Sequence, residues 1–233
     1  AAWLSGQRLG FDSFIQVWHD ADLGSALRAT SWVAAIATVL VLVAAAPLAY
    51  LLASRRFGSR FSSTVVIILV VLAVMPVQMY IGPLSEFAAK QGLAGTRVPL
   101  ILVHVAAGLP FAILALRGAL QADENSPAAD ALYGLTSPMT TLRRIWERAG
   151  AALVAVAVLE FVLVWNDFII TFLLRGPGGG PLSQLLWGEA RQFAVSSGTV
   201  AAGAAIWAAV PVILLLLTWR RFVVPGLTGG VLR

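Results

Sequence analysis

Two acidic residues, Glu160 and Asp167, stand in a run from Ala149 to Leu174 that carries no other charge. Their spacing is about two turns of helix, so on one continuous helix both carboxyls share a face. An ionisable side chain in an apolar segment is costly and faces a cavity or a polar partner. Glu160 is therefore a candidate to line a polar path, to accept hydrogen bonds from hydroxyl groups, or to pair with a basic group. Asp167 and Asn166 are candidates for the same path or for a hydrogen bond between helices. Gln78 and Tyr80 offer a similar choice: they can bind a hydroxylated solute or bond neighbouring helices. Trp165, Trp207 and Trp219 can stack on a solute or anchor span ends at the membrane interface, and Trp219 fits anchoring. His104 sits in another apolar run. It reads as a hydrogen-bonded packing residue rather than a metal ligand, because His19 is the only other histidine.

The residues that are missing bound the chemistry. The chain has Cys 0, which excludes disulfides, thiol catalysis and zinc-cysteine sites. No G-x-x-x-x-G-K-[ST] loop is present, and Lys90 is the only lysine. ATP chemistry must therefore come from another chain. No hydrolase motif links Glu160, Asp167 and His104, and His104 lies in a separate run from the two carboxyls, which argues against a transmembrane enzyme. The net charge of +5 is a weak hint of nucleic acid. Here, however, the basic residues sit in short segments beside apolar runs, which is the membrane pattern, and no nucleic-acid partner is expected.

The elements that must position these residues are membrane spans. No charge occurs between Arg28 and Arg55, Arg60 and Glu86, Arg97 and Arg117, or Arg191 and Arg220. About 20 apolar residues cross the hydrocarbon core as a helix, and each run is that long or nearly so. The hydrophobic fraction of 59%, the charged fraction of 12% and the mean hydropathy of +0.87 agree. The predicted spans are about 26–54, 61–85, 98–117, 149–174 and 198–220. They leave an external segment 1–25, a long loop at about 118–148 and a tail at 223–233. Arg55, Arg56, Arg60, Arg117, Arg143, Arg144, Arg148, Arg220, Arg221 and Arg233 cluster close to span ends on one side. Arg8, Arg28, Lys90, Arg97, Arg175 and Arg191 are spread over longer segments on the other. The positive-inside rule places the C-terminus in the cytoplasm and residues 1–25 outside. The chain opens Ala1-Ala2-Trp3-Leu4, with neither Met nor a signal peptide, and so reads as trimmed. An odd number of spans with an outside start suggests that one upstream span is missing.

Two loops carry their own signals. In the cytoplasmic loop, Ser126-Pro127 places an N-cap residue before a proline at the first helical position. Ala128 to Tyr133 are mostly good helix formers, and Gly134 suits a C-terminal stop. Ser137-Pro138 repeats the start signal, and Met139 to Arg148 runs on into the next span. A short helix, a turn and a second helix are expected there, where a purely structural membrane anchor would need none. In the outer loop, Gly176-Pro177-Gly178-Gly179-Gly180-Pro181 cannot be a stable helix.

Three segments, in order, resemble the permease subunit of binding-protein-dependent ABC importers for carbohydrates. Gly108-Leu-Pro-Phe-Ala-Ile-Leu-Ala-Leu-Arg-Gly118 is similar to the segment ahead of that family's cytoplasmic loop. Val164-Trp-Asn-Asp-Phe168 matches its Trp-Asn-Glu/Asp-Phe signature. Pro211 to Gly230, ending Gly226-Leu-Thr-Gly-Gly230, resembles its closing segment. The resemblance covers nearly the whole chain and lacks the first family span. It implies an all-α integral membrane protein, a polytopic helical bundle of the type I ABC importer permease fold, working by alternating access. In such permeases the cytoplasmic loop, called the EAA loop, holds a coupling helix that docks on the ATPase. Ala128, Ala129, Asp130, Leu132, Tyr133, Gly134 and Leu135 occupy that region here. The motif departs from the family: Ser126 or Pro127 replaces the leading glutamate, and Tyr133 stands where an aspartate precedes the glycine. The closing proline is absent from Trp146–Ala149. The outer loop of the family reaches into the binding protein, which puts Gln184, Trp187, Glu189, Arg191 and Gln192 in reach of it. The implied partners are a second homologous permease, an ABC ATPase dimer that binds ATP and Mg2+, an extracytoplasmic sugar-binding protein and membrane lipid. No cofactor is expected in this chain. The cargo is a sugar or another polar solute, such as a glycerol phosphodiester, amino sugar or polyol.

Overall fold

The computed structural model describes residues 14–15, 18, 21–54, 58–121, 138–175 and 197–227. Among them the elements are helical. In chain order they are α1 (Ala21–Ala53), α2 (Ser59–Val74), α3 (Gln78–Lys90), α4 (Arg97–Gln121), α5 (Pro138–Trp165), α6 (Ile169–Arg175) and α7 (Ser197–Thr218). A π-helical turn, Trp219–Val223, and α8 (Val224–Leu227) follow. Four stretches are long and apolar enough to cross a membrane: Gly24–Ala53, Arg97–Gln121, Met139–Trp165 and Ala202–Val223.

α1, α4 and α5 form the core, with α1 packed most extensively on α4. The sequence explains why they approach closely. Ala26, Ala29, Ala34, Ala37, Ala45 and Ala49 of α1 recur at helical spacing, and all are buried. Lipid is as apolar as a protein core, so helices in it associate through close van der Waals packing, which small residues permit. α4 answers with a stripe of buried positions four residues apart: Leu100, His104, Gly108, Ala112, Leu116 and Leu120. α5 contributes Ile145, Ala149, Ala152, Val156, Glu160 and Val164.

The second and fourth predicted spans are not single straight helices. The stretch predicted at 61–85 breaks after Val74, and α2 and α3 meet at 84°. Pro76 explains the break. A proline disfavours helical backbone in the residue before it, and Met75 is extended at φ −65, ψ 121. The stretch predicted at 149–174 ends its long helix at Trp165 and restarts at Ile169. At its other end α5 bends at Ala149, whose φ of −121 and ψ of 19 are not helical. Pro138–Arg148 is thus set off from the span proper, with an exposed pair, Arg143 Nε to Glu147 Oε1 at 2.7 Å, on its surface.

α2 and α7 are peripheral. α2 buries Ser62, whose hydroxyl donates to the Leu52 carbonyl of α1 at 3.3 Å. Ile67, Ile68, Val71 and Val74 of α2 and Val212, Ile213, Leu216 and Leu217 of α7 are exposed. Such faces suit a hydrocarbon surrounding.

The small-residue face of α1 yields a test. Ala45→Leu inserts a large side chain where Ala45 is 0% exposed, whereas Val43 on the same helix is 67% exposed. Overpacking costs about 1–3 kcal/mol. Thermal unfolding of the detergent-purified protein should therefore drop several degrees for Ala45→Leu and stay near the parent for Val43→Leu.

Candidate functional site

Three of the buried polar residues, Thr38, His104 and Glu160, share one layer between two apolar clusters. The first cluster holds Val33, Ala37, Leu100, Val103 and Val164. The second holds Val41, Ala45, Ala112 and Val156. Thr38 of α1, His104 and Gly108 of α4, and Glu160 of α5 fall between them in sequence on each helix. Thr38, His104 and Glu160 are 7%, 5% and 3% exposed.

Glu160 points at α4. Its carboxyl lies so close to Gly108 that a Cβ built there would overlap both carboxyl oxygens. The bare glycine backbone is what admits the group. Among the described residues Glu160 Oε2 has no hydrogen-bond partner. The residue faces neither lipid nor an open channel; the chain's own helices enclose it.

Asp167 does different work. It stands in the break after α5, not on it, so the face expected to be shared with Glu160 on one continuous helix does not form. A span that stops must satisfy its freed backbone groups locally, because hydrocarbon offers no partner. Asp167 Oδ1 accepts from the Ile170 amide at 3.2 Å, and Oδ2 accepts from the Thr171 amide at 2.9 Å. The Thr171 hydroxyl also donates to Oδ2, at 3.1 Å. Asp167 is the N-terminal cap of α6, a role in which a short carboxylate is favoured. His104 Nε2 lies 3.6 Å from the same Oδ2 and ties the cap to α4. On the other side of the break, Asn166 Nδ2 donates back to the Val162 carbonyl at 2.8 Å and closes α5.

Two tryptophans join α5 to α7. Trp165 Nε1 donates to the Trp207 carbonyl at 3.1 Å, and Trp207 Nε1 donates to the Trp165 carbonyl at 3.4 Å. The Trp165 ring also stacks on Phe161 with centroids 5.5 Å apart. Trp165 is 2% exposed, so helix packing occupies the ring that could otherwise have stacked on a solute. Trp219 is exposed beside Arg220 and Arg221, as an interfacial anchor would be.

Of the other path candidates, Gln78 and Asn166 are exposed and Tyr80 is half-buried against the first of these clusters. The coupling candidates Ala128, Ala129, Asp130, Leu132, Tyr133, Gly134 and Leu135 lie outside the described residues. So do the binding-protein candidates Gln184, Trp187, Glu189, Arg191 and Gln192. Among the described residues no cluster of three or more His, Cys, Asp and Glu could hold a metal ion. Sequence reasoning did not single out Gly108, Thr171 or the exchange between Trp165 and Trp207. A glycine one turn from an intramembrane histidine was the available signal for Gly108. Thr171, four residues after an intramembrane aspartate, was the signal for the cap.

No family profile matches the chain. Individual relatives do. A permease for uptake of osmoprotective compounds from Synechocystis is 30% identical over 223 residues, spanning 92% of this chain and 72% of the relative. A trehalose transport system permease of Mycobacterium tuberculosis is 27% identical over 228 residues, spanning 96% and 82%. A melibiose, raffinose and stachyose import permease of Bacillus subtilis is 21% identical over 236 residues. A solved bacterial ABC transporter involved in import of the acidic polysaccharide alginate shares the fold. Its TM-score is 0.72 at 18% identity, covering 95% of this chain and 85% of that one. The bundle is that of a multi-pass importer permease. The chain belongs to the permease subunits of carbohydrate-type ABC importers.

The cap at Asp167 can be separated from its contact with His104. Asn caps a helix about as well as Asp, whereas Ala forfeits about 1 kcal/mol. Asp167→Ala should lower the thermal midpoint of the purified protein clearly, and Asp167→Asn should lower it less. Equal losses would assign the effect to the His104 contact instead.

Proposed function

We propose that this chain moves a sugar inward by alternating access, as one of two homologous permeases driven by an ABC ATPase dimer and fed by an extracytoplasmic sugar-binding protein. The observation that carries the reading is likeness over 92% of the chain to an uptake permease. Relatives named for trehalose, melibiose and diacetylchitobiose transport favour a hydroxyl-rich cargo. ATP and Mg2+ belong to the partner ATPase. The C-terminus and segment 122–137 lie in the cytoplasm, in keeping with the clustered arginines.

The mechanism follows from linkage. ATP can shift the permeases toward an outward-open arrangement only if the ATP-bound dimer binds that arrangement better than the inward one. The contact that transmits this preference is assigned to the coupling region around Ala128–Leu135, where Leu132, Tyr133 and Leu135 offer apolar side chains for a helix-in-groove contact. Gln184, Trp187, Glu189, Arg191 and Gln192 are assigned to the binding-protein side. Gln78, Tyr80 and Asn166, whose side chains reach a surface, are the better placed groups for sugar hydroxyls. Asp167, Trp165 and Glu160 position helices in the arrangement described above.

Purification of the tagged chain in detergent tests the assembly. An ATPase and a second permease should co-purify, and recovery of the chain alone would sink the proposal. Coupling has its own test. Gly134 ends the predicted coupling helix, where a left-handed backbone favours glycine. Gly134→Ile should cut both transport and stimulated ATP hydrolysis several-fold in reconstituted vesicles, with membrane insertion unchanged. Full coupling in that variant would move the contact elsewhere.

A further inference from the structure

α4 and α5 are the two helices on either side of segment 122–137, so any force applied there reaches the membrane through them. Two carboxyls meet α4, one from α5 and one from the break that follows it. His104 and Gly108 are one turn apart on the same face of α4. Asp167 meets the first, and the Glu160 carboxyl is seated on the second. A carboxyl seated in the gap left by a glycine resists both sliding and rotation, because either movement drives it into the flanking turns of α4. We propose that Glu160, seated on the bare backbone of Gly108, is a positioning residue that pins α5 to α4 in the middle of the bundle, so that the two helices move as one body during transport.

Three observations support this. Glu160 is 3% exposed, so it does not line a surface that a solute could reach in this arrangement. Its Oε2 has no hydrogen-bond partner among the described residues, so the carboxyl is not held there by a protein donor to that atom. The niche exists only because position 108 has no side chain, and the atoms that a Cβ would meet are those of the Glu160 carboxyl rather than backbone. Gly108→Ala therefore evicts the carboxyl without forcing the helices themselves apart. The consequence for transport rests on the assignment of segment 122–137 to the ATPase contact.

The chain has Cys 0, so spin labels can be placed at will. Phe111→Cys on α4 and Leu163→Cys on α5 are exposed sites for a label pair, at 40% and 62%. The distance between the labels is measured in the assembled transporter, nucleotide-free and trapped with ATP and vanadate. With Gly108 and Glu160 intact, one narrow distance should persist in both states. Gly108→Ala should broaden it or make it differ between states by about 1–2 Å, the size of ordinary helix displacements. Adding Glu160→Ala to Gly108→Ala also leaves the pair without its carboxyl and should stay as broad as the single variant. If Gly108→Ala does not assemble, Glu160→Ala alone keeps the glycine and should loosen the pair in the same way. The proposal is overturned if the parent distance itself changes between states, if neither single variant alters it, or if the double variant returns to the narrow parent distance. Should no ATPase co-purify, the transport reading fails, and the nucleotide-free distances still decide whether the carboxyl joins the helices.

Discussion

A polar group enclosed by membrane helices must find its partner within the protein, because hydrocarbon supplies none. That constraint is met at Asp167, whereas Thr38 Oγ1 and Glu160 Oε2 have no hydrogen-bond partner among the described residues. Between two apolar clusters, α1, α4 and α5 hold Thr38, His104 and Glu160 in one layer. The span that would have run on through Asp167 stops there instead, and the aspartate becomes the cap of the helix that follows. An ionised or polar carboxyl at membrane depth costs about 2.5–3.5 kcal/mol on insertion scales. Three donors from Ile170 and Thr171 offset that cost at Asp167.

The same constraint separates core from periphery. The three central helices meet along small residues, which bring backbones close and leave little room for side-chain rearrangement. α2 and α7 instead present long aliphatic side chains outward. α7 is held by the reciprocal tryptophan bonds to α5 rather than by a broad buried face. The result is a tight three-helix unit with two looser attachments. Exposed aliphatic faces such as those of α2 and α7 suit a hydrocarbon surrounding.

The bends serve the same division. Pro76 turns α2 into α3 by 84°, and Ala149 sets Pro138–Arg148 apart from the membrane part of α5. Both occur among apolar residues, Pro76 at an exposed position and Ala149 at a buried one. Neither interrupts the contact of α1 with α4.

Much of this was legible in the sequence. Uncharged runs of about 20 residues require membrane helices, since each must satisfy its backbone internally. Three ordered motifs then pointed to an importer permease, and relatives of the whole chain agree. Pro76 could have announced its bend, but an unbroken apolar run of the right length concealed it, because length alone cannot tell a straight span from a broken one. The spacing of Glu160 and Asp167 misled for a related reason. Helical periodicity places two residues on one face only while the helix continues, and it ends at Trp165. Composition determined that the chain lies in a membrane and that polar residues inside it need partners. Tertiary structure decided the long-range contacts: His104 for Asp167, a seat against Gly108 for Glu160, and Trp207 for Trp165. Those choices depend on the register between helices far apart in sequence, and register is set by close packing that no local pattern records.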